Sequence, residues 1–91
     1  MLGLVVRIQV ALAPGIRVDM LIGDRLVVEV DGREYHSDPS AFERDRVRDA
    51  RLTALGYRVL HFSYSQVMYD WPAVEAAILT AMGRREHRAH A

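Results

Sequence analysis

The stretch that decides the fold is Ile16–Asp31, IRVDMLIGDRLVVEVD. Val18, Met20 and Ile22 alternate along its first half, Leu26, Val28 and Val30 along its second, and Gly23-Asp24-Arg25 lies between them. Period-two alternation broken by a glycine-containing turn describes two antiparallel strands. For both apolar sets to pack into one core they must share a face of the sheet, because a slip of one residue sends a whole set to the other side. Sharing a face pairs Ile22 with Leu26 and makes Gly23-Asp24-Arg25 a three-residue loop. Asp19 then stands across from Glu29, and Asp31 follows one step along on the same side.

Working outward, Val5–Leu12 reads as a strand that joins the hairpin through Ala13-Pro14-Gly15. On the other side, Asp38 suits an N-cap, Pro39 a first helical position and Gly56 a C′ glycine, so a helix is expected over Pro39–Leu55. Tyr57–Ser63 (YRVLHFS) is β-branched and aromatic enough for a fourth strand, and Pro72 opens an alanine-rich helix to Met82 closed by Gly83. The remaining GRREHRAHA lacks large apolar residues and is expected to fray. The sum is an α/β domain over residues 1–82 with a mixed sheet in the order β-β-β-α-β-α, followed by a flexible basic tail over 83–91.

The chain has 91 residues, 51% of them apolar, which suits one small globular domain with little stability to spare. Its twelve bases, balanced by twelve acids, are all arginine. Without lysine, Schiff-base and phosphate-loop chemistry are excluded; without cysteine, so are disulfides, thiol catalysis and thiolate zinc sites. No run approaches the ~20 apolar residues of a membrane span. The apolar start MLGLVVRIQVALAPG has no basic lead and is interrupted by Arg7 and Gln9, so it reads as a strand rather than a signal peptide. A cytoplasmic protein with no membrane partner is expected.

Directly opposed carboxylates on neighbouring strands repel one another. A bound divalent cation would reverse that sign, and hard oxygen ligands in small number suit magnesium or manganese. The alternative is that Asp19, Glu29 and Asp31 point into solvent. On the long helix Arg44, Arg48 and Arg51 fall within about 60° of one another, a stripe able to grip phosphates. Pairing of Asp45 with Arg48 and of Arg46 with Asp49 at i,i+3 would make the same surface a solvated ion-pair face, the simpler account. His61 is expected to be a satisfied core histidine, and His87 with His90 to be too little for a metal site.

At VDMLIGDRLVVEVDGREYH (18–36) and FERDRVRDARLTALGYRVLHFS (42–63) the chain resembles the very-short-patch-repair (Vsr)-like endonuclease domains of the PD-(D/E)XK superfamily, over about residues 16–82. The resemblance implies a restriction-endonuclease-like fold and magnesium- or manganese-dependent hydrolysis of phosphodiester bonds in DNA. It maps Asp19 and Glu29 onto the superfamily's metal-binding acids, with Asp31 in the place that usually holds lysine. His36 matches a histidine typical of the branch, as general base or phosphate contact; its other reading is a loop histidine near a helix start. Arg33, Arg44, Arg48 and Arg51 become the expected nucleic-acid contacts. Such domains usually begin with a helix that covers the sheet, and here the sequence starts almost at the first strand. An uncovered sheet face and a homodimer through it are therefore expected. The competing reading is a catalytically inactive nuclease-fold module that binds nucleic acid or protein.

Overall fold

In the computed structural model, which describes residues 5–31 and 39–88, the central hairpin forms as its alternation requires. Strands β2 (Ile16–Ile22) and β3 (Leu26–Asp31) pair antiparallel, with Ile22 opposite Leu26, Leu21 opposite Val27 and Met20 opposite Val28. Strand β1 (Val6–Ala13) adds antiparallel to β2 and is bulged between Ala11 and Ala13, just before the turn. Helix α1 (Pro39–Ala54) then crosses over to β4 (Arg58–Ser63), which lies parallel to β3. The sheet order is β1-β2-β3-β4.

The end of α1 follows from its glycine. Gly56 takes φ +95°, its N–H bonds the Thr53 carbonyl and the Tyr57 N–H bonds the Leu52 carbonyl, both at 3.0 Å. That double closure is a Schellman motif, and it turns the chain straight into β4. The expected N-cap, Asp38, lies outside the described residues.

Two apolar clusters hold helices to both faces of the sheet. On one face Ile22, Leu26, Val28 and Phe62, with Met20 and Leu60, pack against Val74, Ala77, Ile78 and Ala81 of helix α3 (Trp71–Gly83). On the other, Leu21 and Val27, with Val59, pack against Leu52 of α1, which is fully buried. Val18 departs from the expected pattern: it joins Ile16, Leu21 and Val27 rather than Met20 and Ile22. The reason is a break in phase at Asp19. The β1–β2 register passes from Ile8–Met20 to Val10–Val18 with Gln9 at φ +50° between them, and the β2–β3 register starts only at Met20–Val28. Val30, expected in the core, is exposed.

Between β4 and α3 the structure adds a short helix absent from the sequence expectation, α2 (Tyr64–Tyr69). Ser63 and Gln66 form a reciprocal capping box, the Gln66 N–H donating to Ser63 Oγ at 3.1 Å and the Ser63 N–H to Gln66 Oε1 at 2.9 Å. Within the segment expected to fray, residues 84–88 turn back onto the β2–β3 loop. The His87 carbonyl accepts the N–H groups of Asp24 (2.7 Å) and Arg25 (3.1 Å), and Glu86 pairs with Arg58 at 3.2 Å. Among the described residues no helix is long and apolar enough to cross a membrane.

Gly23 makes that return possible. It has φ +62°, and a Cβ there would run into the His87 carbonyl oxygen. Gly23→Ala is expected to lower stability by about 1 kcal/mol or more. Gly15→Ala should cost less, since Gly15 has φ +76° but open space around it. Urea denaturation of the two variants checks this, and equal losses would mean that the His87 contact contributes nothing.

Candidate active site

The phase break at Asp19 is where the acids gather. The Asp19 N–H donates to Glu29 Oε2 at 2.9 Å, and the Val30 N–H donates to Asp19 Oδ2 at 2.9 Å. Beyond the Met20–Val28 pair, the two carboxylates thus accept backbone N–H groups that a regular ladder would give to carbonyls. Asp19 and Glu29 meet as the register argument expects, but not on a solvated surface. Glu29 is 4% exposed, because α1 lies over this face. Burial is the main reason its carboxyl is raised above the ordinary carboxylate range; the Asp19 N–H and the Arg48 charge pull it back down, and the neighbouring Asp19 carboxylate pushes it up.

Arg48 of α1 faces inward onto this pair. Its Nη2 meets Glu29 Oε1 as an ion pair, and its Nη1 donates to the Arg17 carbonyl at 3.1 Å. The expected i,i+3 pairs are also present, Arg48–Asp45 at 3.9 Å and Arg46–Asp49 at 3.3 Å. For Arg48, however, the reading as a solvated ion-pair face is overturned, since its guanidinium is committed to the sheet. A cleft of about 280 Å³ opens here, lined by Asp19, Glu29, Val30, Asp31, Ala41, Arg44, Asp45 and Arg48. Arg51 is exposed and does not line it. Arg33 and His36 lie outside the described residues.

Asp31 is fixed by a residue that the sequence reading placed elsewhere. His61 bridges two carboxylates, its Nδ1 3.2 Å from Asp31 Oδ1 and its Nε2 2.7 Å from Asp49 Oδ2. It is satisfied as expected, at both ring nitrogens, but as a polar link between β3 and α1 outside the apolar clusters, because parallel pairing sets it beside Glu29. The spacing of Arg48 and Asp49 to Leu52, at i,i+4 and i,i+3, was the available clue that these polar groups share the buried side of α1. His87 is buried under the hairpin loop, away from the acids, and His90 lies outside the described residues.

Among the described residues no group of three or more histidine, cysteine, aspartate or glutamate side chains is disposed to hold a metal ion. The two-carboxylate set of Asp19 and Glu29 still fits magnesium or manganese, which keep most of their shell as water and substrate oxygen. Glu29 Oε1 faces the Arg48 guanidinium as its ionic partner, so a metal ion at this oxygen would compete with Arg48.

The restriction-endonuclease-like family REase_MTES_1575 matches residues 1–82. An uncharacterized protein of Haemophilus influenzae is 42% identical over 50 residues, a span of 55% of this chain and 40% of that protein. No solved structure matches. Because the family match takes in all four strands, α1, α2, α3 up to its last residue and every residue of the acidic cleft, the chain belongs to the REase_MTES_1575 family of restriction-endonuclease-like proteins.

Proposed function

We propose that this domain is a metal-dependent endonuclease of the Vsr-like branch that hydrolyses phosphodiester bonds in DNA. The observation that carries the reading is the buried Glu29 carboxylate beside Asp19, at a cleft that also presents Arg44 and Arg48. Asp19 and Glu29 would hold Mg²⁺ or Mn²⁺, which when bound lowers the pKa of water and offsets charge on the transferring phosphate. Arg44 and Arg48 bring guanidiniums to the place where a phosphate would enter, and a planar fork matches its oxygens better than a lysine would. Arg51, on the exposed side of α1, and Arg33 would contact the backbone further out. Asp31, held by His61, orients water at the end of β3. His36 remains the proton handler that the family resemblance implies.

A second reading, a catalytically inactive nucleic-acid-binding or protein-interaction module, is favoured by one observation: Arg48 already occupies the Glu29 oxygen that a metal would need. The readings separate on cleavage. With Mg²⁺ or Mn²⁺ and a panel of nicked, mismatched and single-stranded DNA, the protein is expected to cut. Asp19→Asn and Glu29→Gln should each lower the rate by about 100-fold or more. An Asp19→Asn protein that matches wild type in this assay would sink the catalytic reading.

Burial also predicts a pH signature in the metal-free protein. A carboxyl whose folded pKa is raised contributes stability that is full below its unfolded pKa and is lost as pH rises through the folded one. Melting temperature should therefore fall over that interval by more in wild type than in Glu29→Gln, which has no proton to lose. Parallel melting curves from pH 4 to 8 would contradict this.

Val5, Val6 and Ile8 are exposed on or beside β1. We propose that two copies pair through this surface, so Ile8→Glu is expected to shift a dimer to monomer in sedimentation equilibrium. A monomeric wild type would refute the pairing.

A further inference from the structure

We propose that Arg48 is the built-in counter-ion of the Asp19–Glu29 pair, that a divalent cation binds by displacing it, and that the displaced guanidinium moves to Asp45 at the cleft wall. The inference rests on the reading of this cleft as a metal site and goes beyond it by naming what the metal must move.

The two oxygens of Glu29 are not equivalent. Oε2 takes the Asp19 N–H, whereas Oε1 is buried, accepts no hydrogen bond and has the Arg48 guanidinium as its ionic partner. A carboxylate this deep needs a positive charge, because an unpaired buried ion is expensive. Arg48 supplies one, but at a loss to itself. Its Nε is buried with no hydrogen-bond partner, so one of its five N–H donors goes unused. The guanidinium is attracted to this place by charge and only partly satisfied by its surroundings.

A divalent ion shared by Asp19 and Glu29 would claim Oε1, and the guanidinium would then face a doubly charged neighbour at the same oxygen. Like charges at such a distance repel strongly outside bulk water. Both cannot stay. An alternative partner is at hand, because Asp45 Oδ1 already lies 3.9 Å from Arg48 Nη2, one turn earlier on α1 and on the same cleft. Rotation of one side chain is enough to exchange Glu29 for Asp45. The cleft would then hold its positive side chains, Arg44 and Arg48, together on the α1 wall and the metal on the sheet wall. Four carboxylates, from Asp19, Glu29, Asp31 and Asp45, line this cleft against two guanidiniums, so a divalent charge is balanced with Arg48 still inside it.

The test is metal binding, with no turnover involved. Mn²⁺ affinity of the full chain is measured by calorimetry and by thermal shift for wild type, Arg48→Gln and Arg48→Met, with Asp19→Asn as the background. Removing the competitor is expected to lower the metal-free melting temperature and to tighten Mn²⁺ binding by about tenfold or more. Unchanged or weaker Mn²⁺ binding in both variants overturns the displacement while leaving the metal site intact. Absence of binding above the Asp19→Asn background in wild type and variants alike overturns the metal site itself, and the displacement with it. Should either variant fail to fold, wild type suffices. On titration with Mg²⁺, the Arg48 Nε–Hε resonance should move with the midpoint of the thermal shift, and a resonance that stays still while metal binds overturns the inference.

Discussion

Everything in the acidic cleft depends on keeping one carboxylate, that of Glu29, almost wholly out of water. A buried carboxylate without partners is far too costly for a domain of this size. Three groups make it tolerable: the Asp19 N–H on Oε2, the Arg48 guanidinium on Oε1, and the helix that carries Arg48. The first of these has a structural consequence. Once Asp19 gives its N–H to a side chain and takes the Val30 N–H on its own carboxylate, the β2–β3 ladder stops at Met20–Val28, and β2 changes phase. Val18 therefore turns toward α1 while Met20 turns toward α3. The acid pair and the turn of Val18 toward α1 thus belong to the same backbone irregularity.

Helix α1 is the second element on which this arrangement rests. Its buried face has to satisfy two demands a turn apart. Leu52 seals the apolar cluster of Leu21 and Val27, and one turn earlier Arg48 and Asp49 reach the polar end of the same face. A rotation of α1 that improved one contact would spoil the other, so packing at Leu52 sets where the guanidinium can be. His61 adds a second tie, from β4 to Asp31 on the sheet and Asp49 on α1. The polar site is in this sense held in place by an apolar core beneath it.

Much of this was legible in the sequence, and the reason is parity. Two alternating runs and a glycine allow one register if both are to bury their apolar residues, and that register brings Asp19 toward Glu29. The Schellman end of α1 was equally readable from Gly56. What could not be read were relations between elements whose spacing in sequence says nothing about their spacing in space. The side of α1 that meets the sheet, and the strand position that brings His61 beside Glu29, are set by packing across a crossover. Helical spacing alone leaves Arg48 between a solvated ion-pair face and a phosphate grip, whereas packing pairs it with the buried Glu29. Helix α2 is a different case: Ser63 and Gln66 have the spacing of a capping box, a clue that the apolar pattern of β4 outweighed.

The absence of lysine gains a physical meaning from Arg48. The position has to reach Glu29 and the Arg17 carbonyl at once, from a helix lying across the sheet. A guanidinium does this with two nitrogens of one rigid plane, whereas an ammonium is a single point that would have to choose between them. A small domain with two acids brought together has too narrow a stability margin to leave them unpaired. Arg48 neutralises Glu29 from within while its own Nε stays unpartnered, and on the proposed metal reading that imperfect fit is what would let a stronger cation take its place.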